Sequence, residues 1–268
     1  MGPLISPEEL VDDLSRWTVL DVRWQLGRSD GREQHEAGHV PGAAYVDLET
    51  DLADPPGRRG RHPLPDSARF VETMRRCGVR HDRPVVVYDD VAGASAARCW
   101  WLLRHHGHPD VRVLDGGWSW WVRVGGAVET GPTTPSYGDF DGRPGAMPVL
   151  DAEGAAAVAR DGVLVDARAP ERFRGEVEPV DPVAGHVPGA VNVPTARNLT
   201  PEGRFRSPEE LAAAYDLPPG VDVGAYCGSG VTAAHDVLAL ELVGVRAALY
   251  AGLWSEWVTD PSRPVATG

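Results

Sequence analysis

The strongest constraint on the fold of this chain is an internal repeat. Leu20-Asp21-Val22-Arg23 recurs as Val165-Asp166-Ala167-Arg168, and Gly38-His39-Val40-Pro41-Gly42-Ala43 returns in full as Gly185-His186-Val187-Pro188-Gly189-Ala190. Val85-Val86-Val87-Tyr88 corresponds to Val223-Gly224-Ala225-Tyr226, and Gly116-Gly117-Trp118-Ser119-Trp120-Trp121 to Gly252-Leu253-Trp254-Ser255-Glu256-Trp257. The spacing between copies drifts while their order holds. Two copies of so long a unit mean duplicated domains rather than a solenoid. The repeat places an N-terminal domain at residues 1–125, a linker rich in Gly, Pro and Thr at 126–148, and a C-terminal domain at 149–268. At 268 residues, each half is long enough to bury a core of its own.

Within each half, short β-branched runs alternate with helical patterns. Thr18 to Val22 and Pro84 to Tyr88 read as buried strands, and Ser67 to Cys77, Ala94 to Leu103 and Val231 to Val243 as helices. Ser207-Pro208-Glu209-Glu210 has an N-cap serine, proline in the first turn and acids after it, so a helix is expected from there to Tyr215. Strand–helix alternation implies α/β domains, each a small parallel sheet flanked by helices, with reactive groups at the carboxyl ends of the strands.

Charge narrows the partners. The net charge of −13 argues against nucleic acid, which requires a basic surface. A small anionic substrate needs only a local positive site and stays open. No apolar stretch approaches membrane-spanning length and the first residues lack a signal-peptide pattern, so a cytoplasmic protein with no membrane partner is expected. Three cysteines, Cys77, Cys99 and Cys227, cannot form a disulfide framework.

Chemistry concentrates in Ala225-Tyr226-Cys227-Gly228-Ser229-Gly230-Val231-Thr232. A strand ends at Tyr226, a glycine-rich loop follows and a helix begins near Val231. Two glycines let the backbone curl so that several N–H groups converge at a helix N-terminus, an arrangement that holds anions. A thiol at that centre is favoured as the thiolate, and the same donors would stabilise a persulfide or a departing anion. The bland alternative is a buried cysteine in a strand-to-helix turn.

The doubled arrangement, the Gly-His-Val-Pro-Gly-Ala segments and the loop from Cys227 to Thr232 together resemble the tandem rhodanese-domain sulfurtransferases over nearly the whole chain. The resemblance implies an active second domain and a silent first one, where Tyr88-Asp89 stands against Tyr226-Cys227. It implies a sulfurtransferase with a Cys227 persulfide and no metal or organic cofactor, moving sulfur from a small anionic donor to cyanide or a thiol acceptor such as a small redox protein. Family members using thiosulfate typically have Arg-Lys after the cysteine and those using 3-mercaptopyruvate have Gly-Ser. Gly228-Ser229 therefore points to mercaptopyruvate, with thiosulfate as the alternative. Arg172 matches an arginine that binds the substrate carboxylate, joined by the loop residues Gly228, Gly230, Val231 and Thr232. A second family arginine falls on Val180, which cannot bind a carboxylate; Arg174 and Arg197 are candidates to replace it. Asp51, His62 and Ser229 match a proposed relay that would move a proton at the substrate, a task suited to a histidine near neutral pH.

Rival readings are weaker. His35-Glu36-Ala37-Gly38-His39 fits the H-E-x-x-H zinc pattern, but Gly38 and Pro41 interrupt the helix it needs, and the twin segment ending in His186 lacks the first His and Glu. A cysteine phosphatase would need an arginine where Ala233 stands. A non-catalytic module using the anion-binding loop is the third reading. The Trp-rich segments read as packing, and His105, His106 and His108, beside Gly107 and Pro109, as a solvated helix end.

Overall fold

Strands made of unbroken apolar residues must be covered on both faces, and a parallel sheet between helices is the architecture that does so. The computed structural model describes residues 2–228 and 231–268. They divide into two compact units, one of residues 1–54, 64–147 and 202–204, the other of residues 55–63, 148–201 and 205–268. The short segment 55–63, though early in the chain, thus belongs to the C-terminal unit.

The N-terminal unit holds β1 (Leu4–Ile5), β2 (Thr18–Asp21), β3 (Ala44–Tyr45), β4 (Val85–Tyr88) and β5 (Val111–Leu114), in the order β1-β5-β4-β2-β3. The C-terminal unit repeats the plan with β6 (Val149–Leu150), β7 (Val163–Asp166), β8 (Val191–Asn192), β9 (Val223–Tyr226) and β10 (Ala248–Tyr250), ordered β6-β10-β9-β7-β8. All pairings are parallel, and the register repeats: Asp21 faces Tyr88 across β2 and β4 as Asp166 faces Tyr226 across β7 and β9. No helix among the described residues is long and apolar enough to cross a membrane.

The helices follow their sequence signals. Ser207 and Glu210 form a reciprocal capping box at the helix Pro208–Tyr215, and the helices Ser67–Arg76, Ala94–His105 and Thr232–Leu242 lie where periodicity places them. One expectation is corrected. His105, His106 and His108 are not a solvated helix end but buried, because residues 138–147 fold back over them. His106 and His105 carbonyls accept from Arg143 and Ala146 N–H, and the His105 ring stacks on Trp101 at 4.7 Å. Burial lowers the proton affinity of all three imidazoles.

Candidate active site

Both units build the same polar frame beneath the ends of their central strands. In the C-terminal unit, Arg168 grips Asp166 through Nε and Nη2 at 3.0 and 2.6 Å, and its Nη2 also donates to Gly185 O at 2.7 Å. The Arg168 guanidinium lies over the Trp254 ring at 4.7 Å, and Tyr226 Oη accepts from Val187 N–H. In the N-terminal unit Arg23 does the same for Asp21, Gly38 O and the Trp118 ring, and Tyr88 Oη accepts from Val40 N–H. The repeated Asp-x-Arg and Gly-His-Val-Pro-Gly motifs are therefore one device, an arginine that pins the turn to the strand. Burial opposes ionisation of Asp21, yet bonds from His35, Arg23 and Tyr88 together hold its carboxyl below the usual range.

The same geometry disposes of the zinc pattern. The helix Gly31–Ala37 ends before His39. His35 Nδ1 is 2.9 Å from Asp21, His39 Nδ1 is 2.7 Å from His35 O, and the two rings stack at 3.9 Å. They serve the turn rather than facing a shared metal position.

Cys227 follows β9 directly and is 1% exposed. The second Gly-x-Trp-Ser motif holds its backbone: Trp254 N–H donates to Cys227 O at 2.9 Å and Ser255 N–H to Gly228 O at 3.1 Å. Val231, buried, is the N-cap of the helix Thr232–Leu242, and its side chain has no acceptor to occupy the first turn. Ser229 and Gly230 lie outside the described residues.

What such a loop can hold is visible in the N-terminal repeat. There Asp89, the counterpart of Cys227, turns its own carboxylate into the cradle. One oxygen accepts from Val91 and Gly93 N–H at 3.0 and 2.8 Å, the other from Ala96 N–H and Ser95 Oγ at 2.8 and 3.0 Å. Burial still outweighs these four donors and raises the Asp89 proton affinity. The N-terminal loop thus gathers four donors around one internal carboxylate.

Two guanidiniums converge on Gly228. A Cβ at that position would lie 3.0 Å from Arg61 Nη2 and 3.4 Å from both Nη atoms of Arg172. Each arginine is fixed from its far side. Arg172 makes a fork to Glu178 at 3.1 and 2.6 Å and reaches Asp181 at 3.2 Å, and Arg61 Nη1 pairs with Asp181. Glu178 in turn accepts from Val180 and Asp181 N–H at 3.1 Å. Burial works against the Glu178 charge, but the Arg172 fork and these amides leave its carboxyl below the ordinary range.

The expected residues thus fall into three groups. Cys227, Gly228 and Arg172 come together, with Val231 and Thr232 at the start of the adjoining helix. His62 is 5% exposed and lies in segment 55–63 of the same unit. Asp51 belongs to the N-terminal unit, where it ends the short helix Leu48–Asp51 and its carboxylate accepts from Asp47 N–H at 2.9 Å. Neither candidate replacement for Val180 is at the loop: Arg174 pairs with Glu176 on the surface, and Arg197 lines an open cleft with Arg206 and Glu210. Arg61, which does stand there, is the functional candidate that sequence reasoning missed.

With the loop and its arginines in view, comparison with known proteins is direct. The rhodanese-like domain model matches residues 6–123 and 151–260. The chain belongs to the rhodanese-like family, as a sulfurtransferase with two such domains. It is 49% identical over 261 residues to the putative thiosulfate sulfurtransferase SseB of Mycobacterium tuberculosis, covering 94% of this chain and 91% of that protein. It is 47% identical over 278 residues to a probable 3-mercaptopyruvate sulfurtransferase of Pseudomonas aeruginosa, covering 99% and 98%. The crystal structure of SseA from Escherichia coli, a 3-mercaptopyruvate enzyme, superposes with a TM-score of 0.83 at 31% identity, covering 96% of this chain and all of that one.

Proposed function

We infer that this protein is a cytoplasmic enzyme that takes sulfur from 3-mercaptopyruvate onto Cys227 and passes it to a thiol or to cyanide. The observation that carries this is the meeting of a buried cysteine at the end of β9 and two guanidinium edges at the following Gly228. A planar fork suits a carboxylate, so Arg172 would hold the donor by its carboxylate with its sulfur towards Cys227.

The step balances simply. The Cys227 thiolate attacks the donor sulfur; the new S–S bond forms as the C–S bond breaks, and the electron pair leaves as the enolate of pyruvate. The enolate takes a proton at carbon, and His62 is the group proposed to supply it. An acceptor thiolate or cyanide then attacks the outer sulfur and returns Cys227 to the thiolate. The loop amides stabilise the persulfide anion between the steps.

A second donor has its own support. The 49% identical relatives are named for thiosulfate, and Arg61 brings a guanidinium beside position 228, where thiosulfate-using relatives carry arginine. Steady-state kcat/KM for sulfur transfer to cyanide from each donor separates the two: mercaptopyruvate is expected to win, with pyruvate released, and a thiosulfate preference would overturn the donor assignment. Cys227→Ser is expected to abolish transfer from either donor, by at least 10³-fold. Residual turnover in that variant would remove Cys227 from the mechanism.

A further inference from the structure

We propose that Leu253 is a positioning residue for the reaction: its side chain packs against Cys227 and holds the sulfur-carrying group in the rotamer from which it attacks. The proposal rests on Cys227 carrying the sulfur, as inferred above, and not on which donor supplies it.

The first observation is conformational. Among the described residues three other than glycine have positive φ, Ala92 at 57°, Asp216 at 45° and Leu253 at 64°. Of these only Leu253 is buried, at 1% exposed. A bulky apolar residue in the left-handed region is an outlier, because its Cβ crowds the following carbonyl oxygen. It persists only where the surroundings fix it, and such residues gather at functional sites.

The second is what this backbone does. With Leu253 turned this way, the next two amides face the cysteine segment: Trp254 N–H donates to Cys227 O at 2.9 Å and Ser255 N–H to Gly228 O at 3.1 Å. The N-terminal unit makes the equivalent bond, Trp118 N–H to Asp89 O at 2.8 Å, with Gly117 at φ +61°. Glycine thus serves this turn without strain, so the hydrogen bond by itself does not call for leucine.

The third is where a side chain at this place must go. In the N-terminal unit neither glycine of the turn has room for one. A Cβ at Gly116 would collide with the Trp120 ring, and one at Gly117 with Asp89 O. The second direction runs at the counterpart of the cysteine, since all three atoms nearest to that Cβ belong to Asp89. In the C-terminal unit the turn is rebuilt. Gly252 takes φ −78° where Gly116 takes +91°, and the Glu256 carboxylate fills the space a Cβ at Gly252 would need. Position 252 is closed, position 253 is open, and the side chain admitted there is directed at Cys227. An apolar group against the Cβ–Sγ bond leaves the thiol fewer rotamers, and alignment of an attacking atom is worth large factors in rate.

The test separates positioning from packing. Sulfur transfer to cyanide from 3-mercaptopyruvate and from thiosulfate, together with Tm, is measured for wild type, Leu253→Ala, Leu253→Gly, Leu253→Met, Leu211→Ala and Cys227→Ser. Leu253→Ala should lower kcat on the better donor about 10- to 100-fold and leave KM within about threefold. Leu253→Gly should lose as much activity yet melt about 2–4 °C above Leu253→Ala, since glycine adopts this φ freely. Leu253→Met, of similar volume, should stay within about threefold of wild type. Leu211→Ala opens an equally buried place on the helix Pro208–Tyr215, and it should melt lower while keeping its kcat. Unchanged kcat in Leu253→Ala and Leu253→Gly, a loss that falls on KM instead, or an equal loss of kcat in Leu211→Ala would each overturn the proposal. Turnover surviving in Cys227→Ser would overturn the Cys227 reading and this proposal with it. An inactive Cys227→Ser beside a fully active Leu253→Ala would overturn the proposal alone.

Discussion

Three thiols in one chain differ in what surrounds them, and that decides which can react. Burial pushes the Cys77 thiol up to about 12, with the nearby Asp51 carboxylate adding to the effect, and burial raises Cys99 well above its ordinary value too. Neither offers thiolate near neutral pH. Alkylation by iodoacetamide at pH 8, followed by peptide mass spectrometry, should therefore modify Cys227 and leave Cys77 and Cys99 unlabelled until the protein is denatured. Labelling of Cys77 at a comparable rate would contradict its raised proton affinity. The basic residues show a parallel economy of type. Lysine is absent and all 26 permanently charged side chains of positive sign are arginine, so a fixed positive side-chain charge here is always a guanidinium. Cys227 and Gly228 could be picked out because they are neighbours in sequence at the end of a strand that the apolar pattern marks. Arg61 was not, since its place beside Gly228 depends on segment 55–63 joining the C-terminal unit. The only local sign was a run of arginines, Arg58, Arg59 and Arg61, bounded by glycines and set beside His62.

At the scale of elements, the helix Thr232–Leu242 links the loop to the rest of its unit through a buried polar chain. Tyr215 Oη donates to Asn198 Oδ1 at 2.9 Å, and Asn198 Nδ2 donates to Asp236 Oδ1 at 2.7 Å. This ties together the helix Pro208–Tyr215, the short 3₁₀ helix Thr195–Asn198 and the helix behind Cys227. Asp236 Oδ2 has no partner among the described residues, and burial raises the proton affinity of this carboxyl well above its usual range. Its pH dependence has a definite sign. Below about pH 3.9 the carboxyl is protonated whether the chain is folded or not. As pH rises, the unfolded chain ionises freely while the folded one resists, so stability is lost from there up to the raised folded value. Asp236→Asn keeps the bond to Asn198 and removes the titration. It should stabilise the protein by on the order of 2 kcal/mol at pH 7, with the gain in Tm vanishing at pH 3.5. A variant less stable than wild type at pH 7 would mean that the charged form is used. The helix boundaries were readable from capping and periodicity, as Ser207 and Glu210 illustrate. The burial of His105, His106 and His108 was not, because it depends on where residues 138–147 run after they leave the last helix of the N-terminal unit.

The whole molecule keeps one frame twice. The Asp-x-Arg pin, the Gly-His-Val-Pro-Gly turn and the tryptophan under the arginine recur in both units, which is why the repeat could be read from sequence without any structure. The differences lie where the reacting groups would be. His186 stacks on Phe173 at 3.7 Å as His39 stacks on His35 at 3.9 Å. The residue before each stacked ring is Arg172 in the C-terminal unit but Gln34 in the N-terminal one. The N-terminal copy has also replaced the cysteine by Asp89, whose carboxylate takes up the donors a bound anion would need. The silence proposed for this unit then has three causes, a missing thiol, a missing guanidinium and an occupied cradle; Asp89→Cys removes the first and the third together, and without the guanidinium it should not restore activity. Asp89→Cys in a Cys227→Ser background is expected to transfer no sulfur from mercaptopyruvate or thiosulfate. After incubation with donor, intact-mass measurement should find one added sulfur atom per chain in wild type and none in the double variant, with circular dichroism and Tm confirming that the variant is folded. Sulfur on the introduced thiol would show that the N-terminal loop can form a persulfide without an arginine at position 34, and that Asp89, as both lost thiol and occupant of the cradle, accounts for the silence.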